Sequence, residues 1–412
     1  MVCFDILYDY KIFFGILFQD IAFDERVQEI AMAVYYILIL ALAGTGYLFT
    51  EKRKYPGAAA IYLAAAFCSL LFITSFRYAI GFDYFSYRDI YYRSAQLSFR
   101  DILQMYWYEP LFHLISRVFS MNGIHYQVFL TCINCFLLFS AIWFISHYSK
   151  IPWMGVYFYI TLQFLAYDMN LLRQSMALCF FMFAYPYLKG RKIVPYTLLI
   201  LAGGLIHNSL WFVYPLYILL PVKYTKKIAA AVTGAAVCGY IFCDSLFAGV
   251  QQFLPLRYAS YQGSYYWNAS GLAYVVPSFL YLVLMYLNRR RVSDVAIRCI
   301  YLNSAFYNFL ISLFLTKHFI LERFAVYPFV ISLAAIPDIL ADQKEKTAEE
   351  GAAKAVWNPA ASCKKKDRAF QLVRLEFLLF GALTFLFAAE RGFHHVYPYI
   401  SLLDKSSSVP VP

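Results

Sequence analysis

Apolar stretches long enough to cross a lipid bilayer follow one another along almost the whole chain. Crossing about 30 Å of hydrocarbon takes roughly 20 mainly apolar residues in a helix. Of the 412 residues, 62% are apolar and 14% are charged, which is too little polar surface for a water-soluble globule of this size. Because lipid offers no hydrogen bonds to the backbone, these stretches must be helices. The sequence therefore predicts an all-α, polytopic transmembrane bundle.

The predicted bundle has about 11 to 12 spans and a re-entrant or interfacial helix near residues 101–121. The apolar stretches cover residues 27–49, 58–76, 126–147, 153–167, 171–188, 193–206, 209–222, 228–247, 272–287, 296–315, 319–340 and 375–389. We expect an N-terminal hydrophobic segment at 1–26, a transmembrane domain at 27–340, a polar cytoplasmic linker at 341–374, and a final span with an extracytoplasmic tail at 375–412.

Lys and Arg residues cluster in short loops between the spans. These loops are 51–54, 189–192, 223–227, 289–291 and 364–368, with Lys150 alone in another. The positive-inside rule places them in the cytoplasm, and this alternates correctly only if residues 101–121 do not cross fully. Membrane orientation therefore explains the net charge of +11, and we expect no nucleic-acid partner.

Most ionisable residues that the orientation rule leaves unexplained fall on the opposite, extracytoplasmic side. The first group is in "FRYAIGFDYFSYRDIYYR", where Arg77 offers a forked donor for phosphate or carboxylate and Gly81 permits a tight turn before Asp83. Interfacial anchoring explains the same residues equally well. In the second group, "YEPLFHLISRVF", Glu109 precedes Pro110 at a helix start, where capping and catalysis are hard to separate.

Three further groups lie on the same side. "NLLRQSMA" begins a span with Asn170, Arg173 and Gln174, and the arginine suits either snorkelling or ligand binding. "GGLIHNSLW" places His207 within a long apolar stretch, where it would transfer protons or join helices by a polar contact. "KHFILERFAVYP" brings Arg323 beside a glutamate, and three arginines on one face match the needs of a diphosphate ligand.

The order of these motifs resembles the EpsG-like branch of Wzy-type exopolysaccharide polymerases, from about residue 34 to residue 340. The matching positions are Phe76-Arg77, Gly81, Asp83, Tyr87, Glu109-Pro110, Asn170, Arg173-Gln174, Ala177, His207 and Ser209. The late "HHVYPYI" is also similar to the family. The polar insertion at 341–368 and the hydrophobic segment before Gln19 depart from the usual pattern.

The resemblance implies a multi-pass glycosyltransferase of the bacterial cytoplasmic membrane, which polymerises polyprenyl-diphosphate-linked oligosaccharide units on the outer face. Its partners would be that glycan, the lipid bilayer, and a chain-length regulator and flippase of the same pathway. We expect Arg77, Arg173 and Arg323 to bind the departing diphosphate, and Asp83, Glu109 or His207 to be the base. Further substrate-binding candidates are Tyr87, Asn170, Gln174 and Ser209. No cofactor is expected, and no clustered acidic motif indicates a metal.

Two other functions fit the same residues. A membrane acyltransferase that modifies extracellular glycan would use His207 as its base and would depend on an acyl donor. A flippase or transporter of lipid-linked glycans would also need an arginine-lined cavity, although its polar residues should extend through the whole membrane depth.

Overall fold

The computed structural model describes residues 25–52, 56–251, 267–268, 271–341 and 359–401, and every regular element within these ranges is helical. The helices of the first half are α1 (Glu25–Gly46), α2 (Ala58–Ser75), α3 (Tyr84–Ser94), α4 (Phe99–Met105), α5 (Pro110–Met121), α6 (Tyr126–Tyr148), α7 (Pro152–Thr161), α8 (Phe164–Asn170) and α9 (Leu172–Lys189). The others are α10 (Ile193–Gly204), α11 (Ser209–Phe212), α12 (Leu216–Leu219), α13 (Lys226–Ile241), α14 (Cys243–Gln251), α15 (Val276–Asn288), α16 (Val295–Phe314), α17 (Glu322–Phe329), α18 (Ser332–Ala341) and α19 (Pro359–Glu390).

The predicted all-α polytopic bundle is confirmed. Five helical stretches are long and apolar enough to cross a membrane, namely Met32–Lys52, Ala58–Ser75, Tyr126–Tyr148, Val295–Phe314 and Phe370–Glu390. The pair α17 and α18, bent by 40°, would form a sixth span. Other predicted spans are divided into shorter helices; residues 153–167, for example, form α7 and the start of α8, separated at Gln163, whose φ of 73° is left-handed.

No helix within residues 101–121 is long and apolar enough to cross a membrane, and the segment forms parts of two helices rather than the one that the sequence predicts. A capping box between Ser98 and Asp101 starts α4, and α5 starts at Pro110, whose ring has no N–H to continue a preceding helix. Arg117 of α5 donates to the backbone carbonyl of Ala95 at 3.0 Å. These contacts keep α3, α4 and α5 together at the end of the bundle where α2 ends and α6 begins.

The C-terminal tail returns to this same end. The backbone N–H of Tyr78 donates to Ile400 at 3.0 Å, and that of Gly81 donates to His395 at 3.0 Å. Gly81 has a φ of 93°, and a Cβ there would lie 2.9 Å from the carbonyl oxygen of Met169. The turn after α2 is therefore packed between the tail and the end of α8.

Polar contacts at the opposite end involve the residues near the basic loops. Arg374 of α19 pairs with Glu51, and the backbone N–H of Lys150 donates to Asp338 at 3.3 Å. The helix α19 begins at Pro359, inside the linker predicted at 341–374. Residues 342–358 of that linker, and residues 1–24 of the predicted N-terminal segment, lie outside the described residues.

Helices α9 and α11 pack closely against Gly203 of α10. A Cβ at Gly203 would lie 2.6 Å from Phe180 Cβ of α9 and 2.5 Å from Leu210 Cδ2 of α11. Gly203→Ala should therefore lower the free energy of unfolding by about 1–3 kcal/mol, measured by denaturant titration in mixed micelles. Gly44→Ala is the control, since no described atom lies within 4 Å of its added Cβ. Equal stability of the two variants would contradict this packing.

Candidate active site

A carboxylate, a guanidinium and an imidazole from three separate chain segments meet at the end of the bundle that holds the tail. Glu109 Oε2 lies 2.9 Å from a terminal nitrogen of Arg173, at the start of α9. Glu109 Oε1 lies 2.9 Å from Nδ1 of His207, in the turn between α10 and α11. All three side chains are largely buried, with 3%, 13% and 8% of their surface exposed, respectively. We call Glu109, Arg173 and His207 together the arginine–histidine cluster.

The backbone around Glu109 holds its carboxylate between the other two segments. Glu109 immediately precedes α5, and its own N–H donates to the carbonyl of Tyr106 at 2.9 Å. The N–H of Asn208 donates to Glu109 Oε1 at 3.0 Å, and the N–H of Leu111 donates to the carbonyl of Leu205 at 3.1 Å. The turn that carries His207 is therefore bonded directly to the start of α5.

Three nitrogen atoms of the cluster are buried without a hydrogen bond of good geometry among the described residues: Nε of Arg173 and both ring nitrogens of His207. Of these, Nδ1 of His207 lies 2.9 Å from Glu109. The guanidinium of Arg173 also faces the ring of Tyr87, at 6.0 Å from the ring centre. Buried polar atoms are normally paired, and exceptions mark places where a ligand or water completes the set.

Opposing effects set the ionisation of the cluster. Burial raises the pKa of Glu109, but the hydrogen bond with His207 and the charge of Arg173 outweigh it and lower this pKa to about 2. Burial lowers the pKa of His207 to about 4, although Glu109 acts in the opposite direction. At neutral pH, Glu109 is thus ionised and His207 is neutral. With the proton of the neutral ring on Nδ1, 2.9 Å from the carboxylate, Nε2 presents its lone pair.

A second carboxylate–histidine pair lies on the other side of the α8–α9 junction. Glu322 Oε1 accepts a hydrogen bond from the hydroxyl of Tyr167 at 2.8 Å and lies 3.7 Å from Nε2 of His394. Asn170 joins this pair to the turn after α2, because its Oδ1 accepts from the N–H of Asp83 at 3.1 Å while its Nδ2 contacts His394 Nδ1 at 2.8 Å. We call Glu322 and His394 the tail pair.

Arg323 lies close to both clusters. After burial, which is the largest cause in each case, its positive charge further lowers the pKa of His207 and that of His394. Its backbone carbonyl accepts from Nε2 of Gln174 at 2.8 Å. Ser209 contacts the hydroxyl of Tyr327 at 2.8 Å. Most of the residues predicted from the sequence are therefore gathered at one end of the bundle.

Arg77 is placed differently from the sequence-based prediction. It is 1% exposed, and one of its terminal nitrogens donates to the carbonyl of Thr74 at 2.7 Å and to Oδ1 of Asn134 at 3.2 Å. It thus binds the last turn of α2 to α6 inside the core. The physical reason is that a helix end buried in the bundle needs donors for its terminal carbonyls.

Residues outside the predicted set complete the site. His394, Tyr167 and Tyr327 contribute side chains, and Asn208 contributes its backbone N–H. The sequence contained a signal for this part of the site: two adjacent histidines in the tail, on the side away from the basic loops. Among the described residues, no group of three or more His, Cys, Asp or Glu side chains could hold a metal ion.

Comparison with known proteins shows that residues 60–349 match the EpsG family. The chain belongs to the EpsG family. The matched residues include Glu109, Arg173, His207 and Glu322. His394 lies outside the matched range. No curated protein and no solved structure matches it. Membership indicates an exopolysaccharide-related polymerase of the glycosyltransferase type, here in a multi-pass membrane protein.

Glu109 and Arg173 form a buried ion pair. Glu109→Gln leaves the Arg173 charge without its carboxylate, and should lower the free energy of unfolding by about 3–5 kcal/mol in mixed micelles. Asp89→Asn is the matched control, because Asp89 and Arg93 form an exposed pair at 4.0 Å and its loss should change stability by less than about 0.5 kcal/mol. Equal effects of the two substitutions would argue against a buried pair.

Proposed function

We propose that this EpsG-family protein polymerises oligosaccharide repeat units carried on polyprenyl diphosphate, at the outer face of the bacterial cytoplasmic membrane. The observation that carries the proposal is the Glu109 carboxylate, which lies 2.9 Å from Nδ1 of His207 and 2.9 Å from a terminal nitrogen of Arg173. A base and a diphosphate-binding group are the two elements that glycosyl transfer from a lipid diphosphate requires. The imidazole of His207 and the guanidinium of Arg173, which suit these two roles, lie at the same end of the bundle.

The proposed reaction begins with a hydroxyl of the acceptor sugar. Nε2 of His207 takes the hydroxyl proton while the oxygen forms a bond to the anomeric carbon of the growing chain. The bond between that carbon and the diphosphate oxygen breaks, and the lipid diphosphate leaves with the electron pair. Glu109 orients the imidazole and stabilises its protonated form, as a carboxylate does in other histidine bases. Transfer needs no nucleotide sugar.

Arginine is the appropriate residue for the leaving group. Its guanidinium binds phosphate oxygens with two parallel donors, and such bonds are stronger than those between neutral groups. Arg173 uses a terminal nitrogen for Glu109, which leaves Nε directed elsewhere. We assign Arg173 and Arg323 to the diphosphate, Tyr87 to the positioning of Arg173, and Asn170, Gln174 and Ser209 to the support of the surrounding segments. Arg77 is assigned to the support of α2.

Substrate and partners follow from the orientation of the bundle. The candidate site lies at the end away from the Lys- and Arg-rich loops, which the positive-inside rule places in the cytoplasm. A lipid-linked unit delivered by a flippase would meet the site on the outer side. A chain-length regulator of the same pathway is the expected protein partner.

The central test is Arg173→Ala in cells from which the native gene has been deleted. We expect glycan with a single repeat unit in place of long chains, because the departing diphosphate loses a guanidinium. Arg93→Ala is the control, since its side chain is 79% exposed, and it should restore full chain length. Glycan gel electrophoresis and immunoblots of protein level measure both. Long chains from Arg173→Ala would refute the mechanism, and unflipped lipid-linked units in the deletion cells would indicate a flippase.

The pKa values predict the pH dependence. The pKa values of His207 and Glu109 are both lowered. Protonation therefore begins only as the pH falls towards about 4 for His207 and about 2 for Glu109. At saturating lipid-linked substrate, the kcat in membrane vesicles should therefore change less than about twofold between pH 7 and pH 5.5. A histidine with a pKa of about 6.5 would lose roughly nine-tenths of its neutral form over that range. An acid limb near pH 6.5, with the protein still folded, would contradict the assignment.

A further inference from the structure

The tail pair joins Glu322, within the matched family residues, to His394, which lies beyond them. The tail is fixed to the bundle by several hydrogen bonds, including those from Tyr35 to the carbonyl of Val396 at 2.9 Å and from Tyr397 to Gln163 at 2.8 Å. These bonds hold His394 close to Glu322, at the start of α17. Neither the base nor the diphosphate ligands of the proposed reaction need this pair.

Hydrogen bonding fixes the orientation of the His394 ring. Asn170 Oδ1 accepts from the N–H of Asp83, so the other amide atom of Asn170 is the donor nitrogen. That nitrogen contacts Nδ1 of His394, which must therefore be an acceptor. In the neutral ring the proton is then on Nε2 and points towards Glu322.

The gap between the two side chains is too wide for a direct hydrogen bond. His394 Nε2 lies 3.7 Å from Glu322 Oε1 and has no hydrogen-bond partner among the described residues. The side chains of His394 and Glu322 are 8% and 10% exposed. A buried N–H donor therefore lies unpaired beside a carboxylate acceptor, which is the arrangement that a hydroxyl group can complete with one donated and one accepted bond.

Aromatic rings surround the tail pair. The His394 ring lies 4.9 Å from the ring of Tyr167 and 4.1 Å from that of Phe393, measured between centroids. Next to it, the His395 ring lies 3.6 Å from Phe82, which is 56% exposed. Aromatic faces beside hydroxyl-binding groups are suited to sugar rings, whose C–H faces are apolar and whose edges are polar.

We propose that Glu322 and His394 form a hydroxyl-binding subsite for a sugar ring of the lipid-linked glycan. The inference rests on the proposed polymerase function and extends it to substrate recognition. The carboxyl group and the imidazole of the tail pair suit a hydroxyl group, whereas the guanidinium of Arg173 suits a phosphate. The tail pair therefore selects the sugar, and the arginine–histidine cluster binds the diphosphate.

Two substitutions remove the subsite with little change in shape. Glu322→Gln keeps the size of the side chain and replaces its carboxyl group with an amide. His394→Asn removes the Nε2 donor and retains a residue that tolerates the left-handed conformation, which matters because His394 has a φ of 56°. Asp244→Asn is the matched control, since Asp244 contacts His318 at 2.8 Å in another carboxylate–histidine pair and is 63% exposed.

The probe is the lipid-linked repeat unit extracted from cells that lack this chain, given to purified variants in vesicles. Because a lost hydrogen bond costs about 1 kcal/mol, Glu322→Gln and His394→Asn should each raise the KM about fivefold, with kcat changed less than about threefold. Asp244→Asn should leave both unchanged. Supplying the unit as donor at saturation, with a delipidated unit as acceptor, separates recognition of the donor sugar from that of the acceptor sugar.

Each outcome bears on a different claim. An unchanged KM in both variants, while Arg173→Ala abolishes polymerisation, would overturn the subsite and leave the polymerase function standing. Loss of kcat alone would also overturn it, because a recognition subsite acts on KM. If the extract is not polymerised by the unmodified protein, the proposed function itself fails.

Discussion

The candidate site depends on the contacts that the carboxylate of Glu109 makes. It joins the start of α5, the start of α9 and the turn after α10, three segments that are distant in sequence. A buried carboxylate is costly unless it is paired, and here a guanidinium, an imidazole and a backbone N–H share its two oxygens. The same contacts that satisfy this charge also orient Arg173 and His207.

The α8–α9 junction connects this cluster to the tail pair. Asn170 ends α8 and bonds to the turn after α2 and to His394, whereas Arg173 opens α9 and bonds to Glu109. Only two residues separate them in the sequence. Such proximity allows one rigid element to hold both the proposed diphosphate-binding group and the proposed sugar-binding group, and pre-organisation of this kind reduces the entropy lost on binding.

Polar groups in a membrane protein are expensive, and this chain concentrates them. Glu109, Arg173, His207, Glu322 and His394 all lie at one end of the bundle. Buried polar groups elsewhere in the described bundle join neighbouring segments, such as Arg374 with Glu51 and Asn303 with the carbonyl of Leu220. The aromatic residues around the tail pair extend this end towards a ligand that has both apolar faces and hydroxyl edges.

The sequence by itself determined the helical class, the membrane setting, the failure of residues 101–121 to cross, and the motifs that contain Glu109, Arg173 and His207. Hydrophobic length and loop charge are local properties, so they are readable without coordinates. Only the tertiary structure decided which residues meet: it buried Arg77 in the core and brought His394 to Glu322. Contacts between residues far apart in the chain depend on how helices break and pack, and a one-dimensional pattern of apolar residues does not specify that.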